Sequence, residues 1–160
     1  MARYSSTAVN ALYTLINSGI AAKLTTVETE NSLTAGDLPA PTVIKHFAPF
    51  DPRVPLIQIF VEEFSPDQAT GGQRNGVYNV QCKTVLTYKG DAELATHEIR
   101  VQLYAEALIR VVLADPTLGG LVIHAILGSV RFHQDAINDS ATLHMVSLDW
   151  LVGVQSTTGG

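Results

Sequence analysis

Residues 91–120 read DAELATHEIRVQLYAEALIRVVLADPTLGG, and they decide the fold. Ala95, Ile99, Leu103, Ala107 and Val111 recur at helical spacing, and Leu108 and Val112 widen the seam. The stretch therefore reads as one amphipathic helix, with Asp91 placed as its N-cap. Glu93, Glu98, Arg100 and Arg110 take the solvent side, where charges are ordinarily just hydrated. Pro116 and Gly119-Gly120 end the helix and reverse the chain. The next stretch, LVIHAILGSVRFHQDAINDSATLHMVSLDWLVGV over 121–154, reads as two apolar strands, Leu121–His133 and Ala141–Val154, joined by the polar loop Gln134–Ser140. Val122, Ile126, Val130 and Phe132 share a face of the first strand, and Gly128 signals a bulge or a close backbone approach. Val146, Leu148, Trp150, Val152 and Val154 share a face of the second, whereas Leu143, Met145 and Leu151 are apolar on the other. Two-sided strands need cover on both faces. These also exceed the usual length of about five or six residues, so part of the ribbon is expected to project and be covered by another subunit.

Working towards the N-terminus, Tyr78, Val80, Cys82, Leu86 and Tyr88 alternate with Asn79, Gln81, Lys83 and Thr87. That is a strand with one buried and one wet face, and Lys89-Gly90-Asp91 is read as the turn that leaves it. Cys82 falls on the buried face, as a small structural hydrophobe rather than a reactive thiol. Leu56–Glu62 is a continuous apolar run around one glutamine, a strand with both faces partly covered. Ser65–Gly76, containing Gly71-Gly72 and Asn75-Gly76, is a long hairpin connection. Thr34–Pro55 carries five prolines and reads as a long loop, either a functional arm or a segment that wraps its own domain. The first element is a helix over Ser6–Ser32, with Ser5, Ser6 or Thr7 as N-cap and Gly19 and Thr25-Thr26 weakening it. Gln155–Gly160 reads as a flexible tail. The fold class is thus α+β: one domain over residues 1–160, with a mostly antiparallel sheet flanked by two helices in the order helix, strand, strand, helix, strand, strand.

With 160 residues the chain can bury a core without staples. The longest apolar run, Leu118–Val130, is broken by Gly119, Gly120, His124 and Gly128, short of the roughly 20 residues a spanning helix needs. A soluble protein without membrane contact is expected, and the polar start implies no export. A single cysteine, Cys82, excludes an intrachain disulfide and suits a reducing compartment. The net charge of −5, with no basic block, argues against gripping nucleic acid.

Motifs that carry chemistry are nearly absent. His97-Glu98-Ile99-Arg100-Val101 begins like a zinc-protease helix, but the second histidine position is Val101. His46, His97, His124, His133 and His144 include no pair at the spacing that places two ligands on one face. Gly71–Gly76 lacks the Gly-Lys-Ser/Thr ending of a phosphate loop and leads from strand to strand. Glu62-Glu63 reads as a solvated strand end, and no serine sits in a Gly-x-Ser-x-Gly elbow. The reading is of a protein that is not an enzyme, with no catalytic, cofactor-binding or metal-binding residues.

Val77–Val154, with the helix end Ala107–Ala114, the turn Asp115-Pro116-Thr117-Leu118-Gly119-Gly120 and the closing strand Leu143–Val154, resembles the tail terminator or tail-completion (neck) proteins of tailed bacteriophages. The resemblance covers about half the chain. It implies a virion protein, made in the host cytoplasm, that forms a ring of six copies, terminates the tail tube and joins the tail to the head connector. Its partners would be its own copies, the tail tube protein and the connector proteins. Genomic DNA would pass through the channel without specific binding, past acidic residues. A ring needs one patch on each subunit to meet a different patch on the next. The expected contacts are Val43, His46, Phe47, Phe50 and Arg53 in the Pro-rich segment, Gln73, Arg74 and Asn75 at the hairpin tip, and Arg131, His133, Leu143 and Met145 on the closing ribbon. The alternatives are a head-closure or adaptor subunit of the same neck, or a small-molecule-binding domain or enzyme with its site under the Pro-rich loop.

Overall fold

The computed structural model describes residues 2–48, 53–66, 77–91, 94–138 and 141–155. Two helices, α1 (Ala2–Glu30) and α2 (Leu94–Leu113), accompany five strands: β1 (Thr42–Ile44), β2 (Leu56–Pro66), β3 (Val77–Asp91), β4 (His124–Asn138) and β5 (Ala141–Gln155). The strands form one sheet in the order β1-β2-β3-β5-β4. Every pairing is antiparallel except β1 with β2. The architecture is therefore α+β with a mixed sheet.

Alternation along β3 and β5 builds the core. Their register sets Val80 beside Val152, Cys82 beside Trp150, Thr84 beside Leu148 and Leu86 beside Val146, and all eight are at most 1% exposed. Ile57 and Ile59 extend this face onto β2. The Trp150 indole N–H donates to Thr84 Oγ1 at 3.1 Å, so the largest core side chain leaves its polar atom satisfied. Both helices pack on this face and on each other. From α1 come Ala8, Leu12, Ile16, Ile20, Leu24 and Val27, and from α2 Val101, Tyr104, Leu108 and Val112.

Several expectations are corrected. The first helix starts at Ala2, so Ser5, Ser6 and Thr7 lie inside it rather than capping it. It runs without a break through Gly19, where a Cβ would stand 3.3 Å from Val111 Cγ1, so this glycine lets the helices approach closely. Thr25 and Thr26 donate their hydroxyls to the carbonyls of Ala21 and Ala22, so both polar groups are satisfied within the unbroken helix. Ile99, assigned to the α2 seam, is exposed, because the buried stripe of that helix runs through Val101 and Tyr104 instead. Lys89-Gly90-Asp91 is the end of β3, not a turn. Asp91, expected as the N-cap of α2, is the last residue of β3; its side chain, residues 92–93 and the Gly71–Gly76 tip lie outside the described residues. The loop expected at Gln134–Ser140 is strand as far as Asn138, and β5 takes in Gln155; residues 156–160 lie outside the described residues.

The Pro-rich segment is not one long loop. Thr42–Ile44 forms β1, and the residues before it are tied to their own domain. The buried Glu28 carboxylate accepts the backbone N–H groups of Gly36 and Leu38 at 2.7 and 3.0 Å, and Tyr104 donates its hydroxyl to the Pro39 carbonyl at 2.6 Å. After α2, Asp115 organises the reversal by accepting from Gly119 N–H at 2.8 Å and from Thr117 Oγ1 at 2.9 Å. Gly119 and Gly120 adopt φ of 74° and 78°, which residues with a Cβ take up at a cost. Leu118 also has positive φ, 50°, and is held there by a side chain only 2% exposed.

Candidate functional site

The second face of the sheet points away from the helix layer. Register places Leu56, Gln58 and Phe60 of β2, Lys83, Val85, Thr87 and Lys89 of β3, Leu143, Met145, Ser147 and Asp149 of β5, and Arg131, His133 and Asp135 of β4 on this face. Most of these side chains are half-buried or exposed rather than sealed. Among the described residues, cover comes from the short segment after β1, where Ala48 N–H donates to Gln58 Oε1 at 2.7 Å. That bond anchors Phe47 edge-on to Phe60, with ring centroids 5.4 Å apart, while Phe47 itself stays 60% exposed.

Two hollows result, sharing Phe47, Val85 and Met145. The first, about 570 Å³, is lined mainly by Phe47, Val54, Leu56, Val85, Leu143 and Met145, with Gln58, Lys89 and Asp135 as polar groups. The second, about 440 Å³, runs towards β4 between Phe60, Phe132, Arg131 and His133. A polar belt crosses all four long strands beside them. Lys83 Nζ lies 2.7 Å from Glu62 Oε1 and 3.7 Å from Asp149 Oδ1, and Ser129 Oγ donates to Asp149 Oδ2 at 2.6 Å. Glu62, read as a solvated strand end, is thus half of an ion pair. Its energetic worth is small at this exposure, but it fixes where the apolar area stops.

Of the expected contact residues, Phe47, Arg131, His133, Leu143 and Met145 converge on this face. His46 and Arg53 are exposed nearby in sequence. Val43 is corrected: it is 8% exposed and belongs to the core, because β1 turns it inward. Phe50, Gln73, Arg74 and Asn75 lie outside the described residues. Phe60 and Val85 were missed as lining residues, although strand alternation placed them opposite the core; reading Leu56–Glu62 as covered on both sides hid Phe60.

A second cluster lies on the covered face, under the start of α2. His97 and His144, far apart in sequence, bring their rings to 6.1 Å, with the Tyr88 ring 5.5 Å from His97. Gly90 makes room: a Cβ there would stand 2.5 Å from His97 Cγ. His144 is 2% exposed, and burial, then the neighbouring His97, push its pKa below the ordinary histidine value. Its Nε2 has no hydrogen-bond partner among the described residues. Burial alone pushes the Cys82 thiol up to about 12, so it stays protonated and inert, in keeping with its place at 1% exposure. Among the described residues no three His, Cys, Asp or Glu side chains are grouped to hold a metal ion, and no helix is long and apolar enough to cross a membrane. The sequence matches no protein-family model and no curated protein.

Proposed function

We propose that this chain is a structural assembly subunit that works by docking its uncovered sheet face, and that its assembly is the ring suggested by the resemblance to phage tail terminators. The observation that carries this reading is the contrast between a sealed helix-side face and an opposite face where Phe47, Phe60, Val85, Leu143 and Met145 form contiguous apolar hollows. Contiguous exposed apolar surface of this kind marks interaction sites, since covering it is favourable by about 25 cal/mol per Å² removed from water. The mechanism is geometric: a ring of six copies in the virion neck caps the tail tube, stops its growth and presents a joining surface to the connector. The net charge of −5 suits a channel wall past which DNA slides without sticking. The direct test is to add the purified protein to a self-polymerising tail tube protein of the same genome and measure tube lengths by electron microscopy. Tubes capped at one end by a ring are expected; unchanged lengths and bare ends contradict the reading. A ring located at another level of the neck would instead favour a head-closure or adaptor subunit.

One observation favours a second reading. The larger hollow, about 570 Å³, falls in the roughly 300–1,000 Å³ range of small-molecule sites and brings Gln58, Lys89 and Asp135 to an apolar lining beside the Pro-rich segment. A thermal-shift screen of metabolites on wild type and Met145→Trp separates the two. A stabilising ligand lost in the variant would favour a binding domain.

A further inference from the structure

We propose that the first turns of α2 form an acid-released latch, held on the sheet by the His97–His144 pair while His144 is neutral and let go when His144 takes a proton. His144 stands on β5 between Tyr88 of β3 and Gln134 of β4, with α2 packed over it. His97 covers it at 6.1 Å between ring centroids, in a seat that Gly90 leaves open. At 2% and 7% exposure both imidazoles are out of water. A proton on His144 would bury a charge beside a second imidazole and put an N–H on both ring nitrogens, whereas Nε2 finds no acceptor among the described residues. A buried charge and an unanswered donor each cost far more than a neutral ring does.

The groups around His144 do not offset that cost. Among the described residues, Glu98 on α2 is the one carboxylate of the cluster; it is exposed and already accepts from Gln134 Nε2 at 2.6 Å. Arg100 donates to the Tyr88 hydroxyl at 3.3 Å and brings positive charge, and His133 of β4 shares with His144 and Glu98 a small hollow of about 60 Å³. The balance lowers the His144 pKa, through burial first and His97 second, with Glu98 opposing. Release is local because the two halves of α2 are held unequally. In the second half Tyr104, Ala107, Leu108 and Val112 are fully buried, Val111 meets Gly19 of α1, and Tyr104 is bonded to Pro39. Among the described residues before Leu103, only His97 and Val101 are buried and Ile99 is 55% exposed. The other ties there are surface contacts of small worth, Gln134 to Glu98 and Arg100 to Tyr88 and Asp37. A segment so held can open while the rest of the fold stays closed. It also lies directly behind the open face, since Leu143 and Met145, the neighbours of His144 on β5, line the larger hollow.

Once α2 lifts, His144 titrates at the ordinary 6.5, so the open form binds the proton more tightly. Opening is therefore favoured as pH falls from about 6.5 through the closed-state value, and the closed form keeps its full advantage above that window. The test is hydrogen exchange of the full chain at about pH 7.5 and about pH 5.0, read by mass spectrometry as protection factors, which cancel the intrinsic pH dependence of exchange. Amides of residues 97–102 should lose protection about tenfold for each unit by which NMR titration of the His144 ring places its pKa below 6.5, while residues 104–113 and the strands β3 and β5 keep theirs. His144→Gln should abolish the loss, and His97→Gln should shrink it. Protection at 97–102 that does not change with pH, or a loss shared equally by 104–113, would overturn the latch, as would a loss that survives in His144→Gln. If neither variant folds, the wild-type measurements decide alone, because a His144 pKa at or above 6.5 contradicts the proposal.

Discussion

The two faces of one sheet are made from the same strands and obey different rules. On the helix side every second residue from Val80 to Leu86 on β3 and from Val146 to Val152 on β5 is apolar or has its polar atom matched, as Thr84 does with Trp150, and exposure is at most 1%. On the other side the intervening residues mix apolar with polar and charged side chains, from Val85, Leu143 and Met145 to Lys83, Lys89 and Asp149, and exposure stays partial. The first pattern is what a chain needs to fold; the second is what it needs to meet something else. Mutations therefore separate the faces.

The largest effect belongs to the covered face. Trp150→Ala should destabilise the fold by about 3–5 kcal/mol in chemical denaturation, since it opens a cavity at a site 1% exposed and orphans Thr84. A loss below about 1 kcal/mol would show that the helix side is not the core. Gly90→Ala should cost about 1–3 kcal/mol, because its Cβ would meet His97 at 2.5 Å on a packed surface; His97→Ala in the same chain should relieve part of that loss. Smaller again is a pH effect seated at His144. Its folded-state pKa lies below the ordinary value of 6.5 through burial first and His97 second, so the unfolded chain binds the proton more tightly. The stabilisation is complete above about pH 6.5 and is lost as pH falls through the folded-state pKa. Thermal melts of wild type should fall over that window, and His144→Phe should flatten the dependence; an unchanged slope would place the titration elsewhere. On the open face, Phe47→Ser should cost only about 1 kcal/mol, the worth of its edge-on contact with Phe60, since the side chain is 60% exposed, yet reduce self-association in sedimentation velocity. Equal loss of both would mean that Phe47 serves the fold.

Period decided what could be read from residues alone. The alternation of Tyr78 to Tyr88 and the seam from Leu103 to Val112 repeat long enough to outweigh noise, and the structure has β3 and α2 there. β1 was invisible because Thr42–Ile44 is too short to show a period and sits among prolines; only its pairing with β2 defines it. The continuation of β4 through Gln134 and Asp135 was hidden by composition, since polar residues at a projecting edge read as loop. Part of the open face was legible because apolar Leu143 and Met145 on the outer side of a strand already called for cover. The His97–His144 contact was not, as it depends on α2 lying across β5 and on Gly90 leaving space, neither of which leaves a spacing signal.

Whether the open face is a contact surface is decided most directly by the mass of the particle in solution. Mass photometry of the wild type across rising concentration should show a discrete oligomer that Phe47→Ser and Arg131→Glu each weaken while lowering thermal stability only slightly. A wild type that remains a monomer throughout, with both variants indistinguishable from it, would contradict the assembly role of this face.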